Sequence, residues 1–230
     1  MNPRTVFVTG TDTGVGKTVF SAALVAFLRQ AGTNVAASKP LCSGGRDDAR
    51  RLQEALGQRL SLDTVNPWHF RAPLAPLLAA RREGRRVPLA SVLRHLRQLQ
   101  TDNDILVVEG AGGLLSPLGE GFTALELILA LRAQPVIICP NRLGTINQIL
   151  MALAALPSPT RHQTRVVLME PKRSAMVHRL NHRYLADCLG ARRVQPFPWL
   201  PEPHRLDQIL GDPRARTVLA HWKPPLTGRT

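Results

Sequence analysis

Aromatic side chains are scarce in this chain. They make up 4% of its 230 residues, and there is a single tyrosine. Core packing must therefore be aliphatic, and no aromatic series interleaves with basic residues to stack unpaired bases. Cysteine is equally thin: Cys42, Cys139 and Cys188 are far apart. That spacing excludes a metal knuckle and a disulfide framework, and it points to a reducing, cytoplasmic setting. No apolar run reaches the roughly 18 residues of a membrane span. Residues 124–139 come closest, but Glu126, Arg132 and Pro135 interrupt them. The N-terminus passes straight into a strand pattern, so no signal peptide is expected. Lysine is the last shortage. Lys17, Lys39, Lys172 and Lys223 are the only four among thirty basic residues. In so arginine-rich a chain, a retained lysine suggests a place where a compact ammonium is needed and a guanidinium fork would not serve.

What is abundant is positive charge, +14 at neutral pH. It is scattered in doublets such as Arg50-Arg51, Arg81-Arg82, Arg85-Arg86 and Arg192-Arg193, with no long basic block. This reads as a composition that favours arginine, and no specific nucleic-acid partner is expected. At this length one domain, residues 1–230, can bury an ample core.

The most informative stretch is Gly10-Thr11-Asp12-Thr13-Gly14-Val15-Gly16-Lys17-Thr18. The β-branched run Thr5–Thr9 precedes it, and a helical pattern from Val19 to Leu28 follows. Strand, glycine-rich turn, Gly-Lys-Thr and helix form the context of a phosphate-binding loop. Backbone N–H groups and the helix N-terminus would surround a polyphosphate. Lys17 would reach the β- and γ-phosphates, and the Thr18 hydroxyl would bind Mg²⁺. The loop is a variant, because the strict spacing places a glycine at Thr11 and here it stands at Gly10.

A second strand, Val35 to Lys39, ends at Pro40, which cannot continue a central strand. Ligands of open parallel sheets sit beyond the carboxyl ends of the strands, so Lys39 should share an edge with Lys17. A turn-rich loop, 43–48, leads to a helix from Ala49 to Leu56, capped by Asp47 or Asp48. Residues 60–75 look irregular, and helical patterns resume at Leu77–Arg82 and Leu89–Leu99. Asp104-Ile105-Leu106-Val107-Val108-Glu109 is an apolar strand ending in an acid, the Walker B form, in which the carboxylate meets Mg²⁺ or its water. Gly110-Ala111-Gly112-Gly113 allows close backbone approach. Further elements are a helix 123–131, a strand 135–139, a helix from Gly144 with Thr145 or Asn147 as cap, a strand 165–169, a helix 175–189, a strand 194–197 and a partly helical tail 207–222. Only the last residues should be loose. Strands alternating with helices predict an α/β doubly wound, mainly parallel sheet with helices on both faces.

At these motifs the chain resembles dethiobiotin synthetase, an ATP-dependent family within the P-loop NTPases. The phosphate loop, Lys39-Pro40-Leu41-Cys42-Ser43-Gly44, Val65-Asn66-Pro67-Trp68-His69-Phe70, Val108–Leu114, Leu143–Asn147 and Pro198-Trp199-Leu200 carry the resemblance. It implies ATP-dependent carboxylation and ring closure of 7,8-diaminopelargonic acid with CO₂ (or bicarbonate as its source) in biotin biosynthesis. The path runs through a carbamate and a carbamic-phosphoric anhydride. It implies Mg²⁺ held by Thr18, Asp48 and Glu109, and catalytic roles for Lys17, Lys39 and Thr13. Thr13, Ser43 and Lys39 would face the substrate. Nucleotide binding would extend over Gly14, Val15, Gly16, Lys17, Thr18 and Val19, over Asp48, Glu109, Gly110, Ala111 and Gly112, and over Met169, Glu170, Pro198, Trp199 and Leu200. Gly144, Thr145 and Asn147 resemble a turn that receives the substrate's distal carboxylate at the interface of a homodimer.

Two departures stand out. Gly14 lies where many members carry Glu, and Met169 lies where members commonly carry the asparagine that reads adenine. A thioether is only a weak acceptor, so relaxed base selectivity is expected. Other readings are a divergent paralogue acting on another amino acid and a nucleotide switch of the partition-ATPase type. The switch type carries an extra lysine early in the loop, and residues 11–15 contain none. A cobyrinic-acid-type amide synthetase would need a glutaminase domain for which the chain is too short.

Overall fold

A computed structural model describes residues 5–222; Lys223 and the rest of the tail expected to be loose lie outside the described residues. The chain begins β1 (Thr5–Gly10), α1 (Lys17–Gln30), β2 (Val35–Ser38), β3 (Leu41–Ser43), α2 (Asp47–Ala55), α3 (Leu62–Val65), β4 (Trp68–Phe70), α4 (Pro76–Arg82) and α5 (Leu89–Asp102). It continues β5 (Ile105–Gly113), β6 (Pro117–Gly119), β7 (Phe122–Thr123), α6 (Ala124–Leu131), β8 (Gln134–Pro140), α7 (Thr145–Ala154) and α8 (Ser158–Gln163). The last elements are β9 (Arg165–Met169), α9 (Met176–Leu189), β10 (Val194–Phe197), α10 (Leu206–Gly211) and α11 (Pro213–Ala220).

Six parallel strands form one sheet in the order β10-β9-β8-β1-β5-β2. Successive strand residues point to opposite faces, and each face here builds its own core. Val6, Val8, Val107, Val136 and Ile138 pack beneath α1, α2, α10 and α11. Phe7, Leu106, Val108, Ile137 and Leu168 pack against α5, α6, α7 and α9. Aliphatic side chains dominate both layers, and each fully buried one contributes about 1.5–3 kcal/mol. The few rings are shared between both layers; at α1 Phe20 meets Phe197 and Trp222 edge-on at 5.8 and 5.2 Å.

The sheet matches the expected doubly wound class, and several local readings are corrected. The helix expected from Ala49 starts at Asp47, with Arg46 at its N-cap and no capping side chain, so neither aspartate caps it. Residues 60–75 contain α3 and β4, and β4 pairs in parallel with β3, Leu41 opposite Trp68 and Ser43 opposite Phe70. β2 stops at Ser38, one residue short of the expected Lys39, and beyond Pro40 the chain re-forms a strand at Leu41. The helix read from position 123 starts at Ala124, and Thr123 caps it in a reciprocal box with Glu126. At α7 the N-cap is Gly144 in the left-handed region (φ 93°), so neither Thr145 nor Asn147 caps that helix.

Candidate active site

β1 lies between β5 and β8, and the chain crosses the sheet to one side of β1 before returning to the other. Such a reversal opens a crevice at the carboxyl ends of the strands, and the glycine-rich loop fills it. Gly14 (φ 72°) and Gly16 (φ 99°) take left-handed backbone that side chains disfavour. A Cβ on Gly16 would also lie 2.9 Å from Met169 Cε. No side chain caps α1, so its first amides are available to an anion. Lys17 Nζ donates to the Asp12 carbonyl at 2.6 Å, which bends the buried side chain back over the loop. Burial, and then the neighbouring charge of Lys39, lower the Lys17 pKa to about 8.

Beside it lies a buried ionic cluster. Lys39 Nζ is 2.5 Å from Asp48 Oδ2 and 2.8 Å from Glu109 Oε1. The Thr18 hydroxyl donates to the same Glu109 oxygen at 2.8 Å. Burial alone would lower the Lys39 pKa; Glu109 and Asp48 together reverse this and hold it above the ordinary lysine value. Burial also works against the Asp48 carboxylate, but the Lys39 ammonium outweighs it and keeps its pKa below the usual range. Glu109 is fully buried, and its second oxygen, Oε2, has no hydrogen-bond partner among the described residues.

That orphaned oxygen tests the fit of a metal. Thr18, Asp48 and Glu109 offer only hard oxygen donors, which suits Mg²⁺. Among the described residues no group of three or more His, Cys, Asp or Glu could hold an ion.

Lys17, Lys39, Thr18 and Asp48 open into one cavity of about 720 Å³, together with Thr13, Gly14, Ser43 and Gly112. Ser43 Oγ donates to the Leu74 carbonyl at 2.5 Å, leaving its lone pairs for a ligand. Sequence reasoning missed several parts of the wall, Gly45 and Arg51 among them. Ser116 lines the cavity, and its Oγ accepts from Gly113 N at 2.8 Å, so its proton is free to point inward. Residues 73–76 form the apolar side. The glycine run before Ser116 was a usable signal; the Pro-Leu-Ala-Pro segment resembled a connector and gave none.

The AAA domain family model matches residues 4–205. ATP-dependent dethiobiotin synthetase BioD of Anaeromyxobacter dehalogenans (strain 2CP-C) is 38% identical over 228 residues, covering 94% of this chain and 99% of that protein. This chain belongs to the dethiobiotin synthetase family. The protein of the same name from Bacillus subtilis (strain 168) is 40% identical over 149 residues, 63% of this chain and 64% of its own. Among solved structures, the MinC:MinD cell division protein complex of Aquifex aeolicus superposes with a TM-score of 0.59 at 17% identity, covering 95% of this chain and 93% of that one. The signal recognition particle receptor FtsY from Elizabethkingia anophelis gives 0.54 at 14%, covering 96% of this chain and 66% of that one. At such identities these two show a shared fold and nothing more.

Val19 and Ala111, also expected of a dethiobiotin synthetase, line the cavity as well, while Val15, Gly110 and the positions from Gly144 onward lie outside it. Val15 is buried in the core under the loop, and Val19 packs on it. Gly110 and Ala111 continue β5, and a Cβ on Gly110 would crowd Phe7 at 3.1 Å. Met169 packs on Gly16, and Glu170 accepts from Asn141 Nδ2 at 2.8 Å. After β10, Leu200 enters the core while Trp199 stays exposed, with Lys172 Nζ 5.4 Å from its ring centroid. Lys172 thus stands apart from the cavity that Lys17 and Lys39 line. Thr145 is fully buried; its hydroxyl donates to the Pro140 carbonyl at 2.5 Å and accepts from Arg142 N at 3.1 Å. A ligand at this helix end would meet the exposed Gly144 and Asn147, not the Thr145 hydroxyl.

Proposed function

We propose that the chain makes dethiobiotin from 7,8-diaminopelargonic acid, CO₂ and ATP, in one domain and in the cytoplasm. The observation that carries this reading is the convergence of two lysines, Lys17 and Lys39, on one cavity beside a hydroxyl–carboxylate set. The names of the relatives support the same reaction, and the three free thiols suit a reducing compartment. An amine of the substrate adds to CO₂ and loses a proton, giving a carbamate. A carbamate oxygen then attacks the γ-phosphorus and ADP leaves. The second amine attacks the carbonyl carbon of the resulting anhydride, expels phosphate, loses its proton and closes the ring. Two anions must meet in the phosphorylation step, so cations between them lower its barrier. In this reading Lys39 lies on the carbamate side and Lys17 on the phosphate side. Thr13 and Ser43 orient the carbamate through their hydroxyls. Mg²⁺, held by Thr18, Asp48 and Glu109, would supply charge neutralisation on the phosphates. Phosphate release from MgATP, with and without the diamine and with the product identified by mass, tests the proposal. Release that ignores the diamine would overturn it.

Glu109→Gln is expected to raise the Mg²⁺ concentration for half-maximal rate by about tenfold or more. An unchanged Mg²⁺ titration would remove Glu109 from the metal site. For the base, we infer weak selection, because Met169 can pack a ring but cannot pair with its edge. Sites that hydrogen-bond a substrate reject analogues by about 10⁴ or more; here kcat/KM for GTP and CTP should fall within about tenfold of ATP. A preference above about a hundredfold in steady-state assays would contradict this.

We infer a homodimer, whose interface would bring Gly144 and Asn147 to the partner's cavity. Met176, Leu180 and Tyr184 are exposed one turn apart on α9, and Leu143 and Met151 are exposed at and along α7, which packs against it. An apolar stripe of this kind normally marks an interface. Leu180→Arg should yield monomers in sedimentation velocity, with KM for the diamine raised. A wild-type monomer at assay concentration would count against the shared site.

A further inference from the structure

The catalytic lysine proposed above sits at a weak point of the backbone. Lys39 follows the last residue of β2 and precedes Pro40, which has no N–H to offer a neighbour. Its peptide groups are held by a separate segment. Lys39 N donates to the Val65 carbonyl at 2.9 Å, and the Lys39 carbonyl accepts from Asn66 Nδ2 at 2.8 Å. Asn66 is 1% exposed, and its amide is used at both ends. Asn66 Oδ1 accepts from Arg46 Nε at 3.1 Å. The same guanidinium donates through Nη2 to the Leu62 and Asn66 carbonyls at 3.2 and 2.9 Å. Arg46 is also the N-cap residue of α2, whose second residue is Asp48. One amide and one guanidinium thus tie the backbone of Lys39 to the start of the helix that carries its counter-ion.

We propose that Asn66 and Arg46 are positioning residues that set Lys39 and Asp48 against each other across the cavity. This rests on the synthetase reading for its consequence in catalysis, though not for the linkage itself. Neither residue lines the cavity, so their effect must pass through the two groups they hold. A planar fork using Nε and Nη2 together has no lysine equivalent. Salt formation with Asp63, whose side chain is 86% exposed, is peripheral.

Two variants separate the parts. Arg46→Ala removes the guanidinium from a half-buried place. Asn66→Asp keeps an acceptor for Arg46 but loses the donor to the Lys39 carbonyl. Both are expected to lower kcat by about 10–100-fold, the range for outer groups that orient a site, with KM for ATP within about threefold. Arg46→Lys should behave like Arg46→Ala, and guanidinium ion at millimolar concentration should restore part of the Arg46→Ala rate. The same variants are followed by NMR of isotope-labelled lysine side chains in the free protein, where only four lysines contribute. The Lys39 signals should move toward those of the exposed Lys172. Unmoved Lys39 signals, or a rate loss that follows the folded fraction alone, would overturn the proposal. If the wild-type protein shows no diamine-dependent turnover, the synthetase reading fails and the lysine spectra still decide the linkage.

Discussion

Lys39→Ala is expected to reduce diamine-dependent phosphate release by about 10³-fold while nucleotide affinity falls less than about tenfold. The magnitude is that of removing one preorganised group from a site of developing charge. The split follows from where the charge sits. Lys39 is bonded to Asp48 and Glu109 and faces the cavity from the end of β2, whereas in the proposed reading the loop amides and Lys17 hold phosphate. Equal losses in ATP affinity and in turnover would contradict this division of labour. The variant should also be less stable. Glu109 is fully buried and, among the described residues, Lys39 is the one cation paired with it, so removing the ammonium leaves a carboxylate with one hydroxyl donor. Breaking a buried pair in this way costs about 3–5 kcal/mol, and Mg²⁺ should recover more of it in the variant than in wild type. The acid limb gives an independent check. The Asp48 pKa is held below the usual range, after burial is offset by Lys39. The stability this confers is present above the unfolded carboxylate pKa and is lost as pH falls through the folded one. Without Lys39 that slope should flatten in acid denaturation curves.

How much of this was legible before the structure depends on how local each feature is. The phosphate loop and the acid of β5 declare themselves within a few residues, because backbone strain and strand patterning leave immediate marks at Gly14, Gly16 and Glu109. Lys39 was legible through Pro40, which fixes where β2 must stop. The alternation of α and β was equally plain, but the strand order was not, since nothing in β2 names β5 as its neighbour. β4 was missed because three residues around His69 pair only with three around Cys42, too few for a period to show. The Asn66–Arg46 link spans twenty residues of sequence and has no pattern at all. The cap at α7 was misread because Thr145 looks like a capping residue, yet its hydroxyl serves the turn before the helix.

Lys17 supplies the second large effect, and its sign can be worked out. Its pKa near 8 reflects burial first and the charge of Lys39 second. Between pH 8 and 10.5 the folded protein therefore binds fewer protons here than the unfolded chain, so on this account stability rises with pH across that window. Nucleotide binding runs the other way. A polyphosphate beside the ammonium favours the charged form, so its arrival must raise the pKa and draw a proton from solution. ATP affinity should fall as pH climbs past about 8, and calorimetry in buffers of different ionisation heat should register uptake approaching one proton near pH 9. Lys17→Met should abolish that uptake. It should also weaken nucleotide binding by about 10–100-fold, since a hydrogen bond to a charged group contributes about 1.5–3 kcal/mol, and cost turnover a further factor approaching 10³. Lys17→Arg should not restore it. The compact ammonium reaches back to the Asp12 carbonyl, and a planar guanidinium directs its donors in a different, fixed fork. Stability below pH 8 should be unchanged or improved in Lys17→Met, because the variant no longer buries a charge there. A variant that unfolds instead, or a wild-type affinity flat from pH 7 to 9, would show that Lys17 is held for the fold and not for the phosphate.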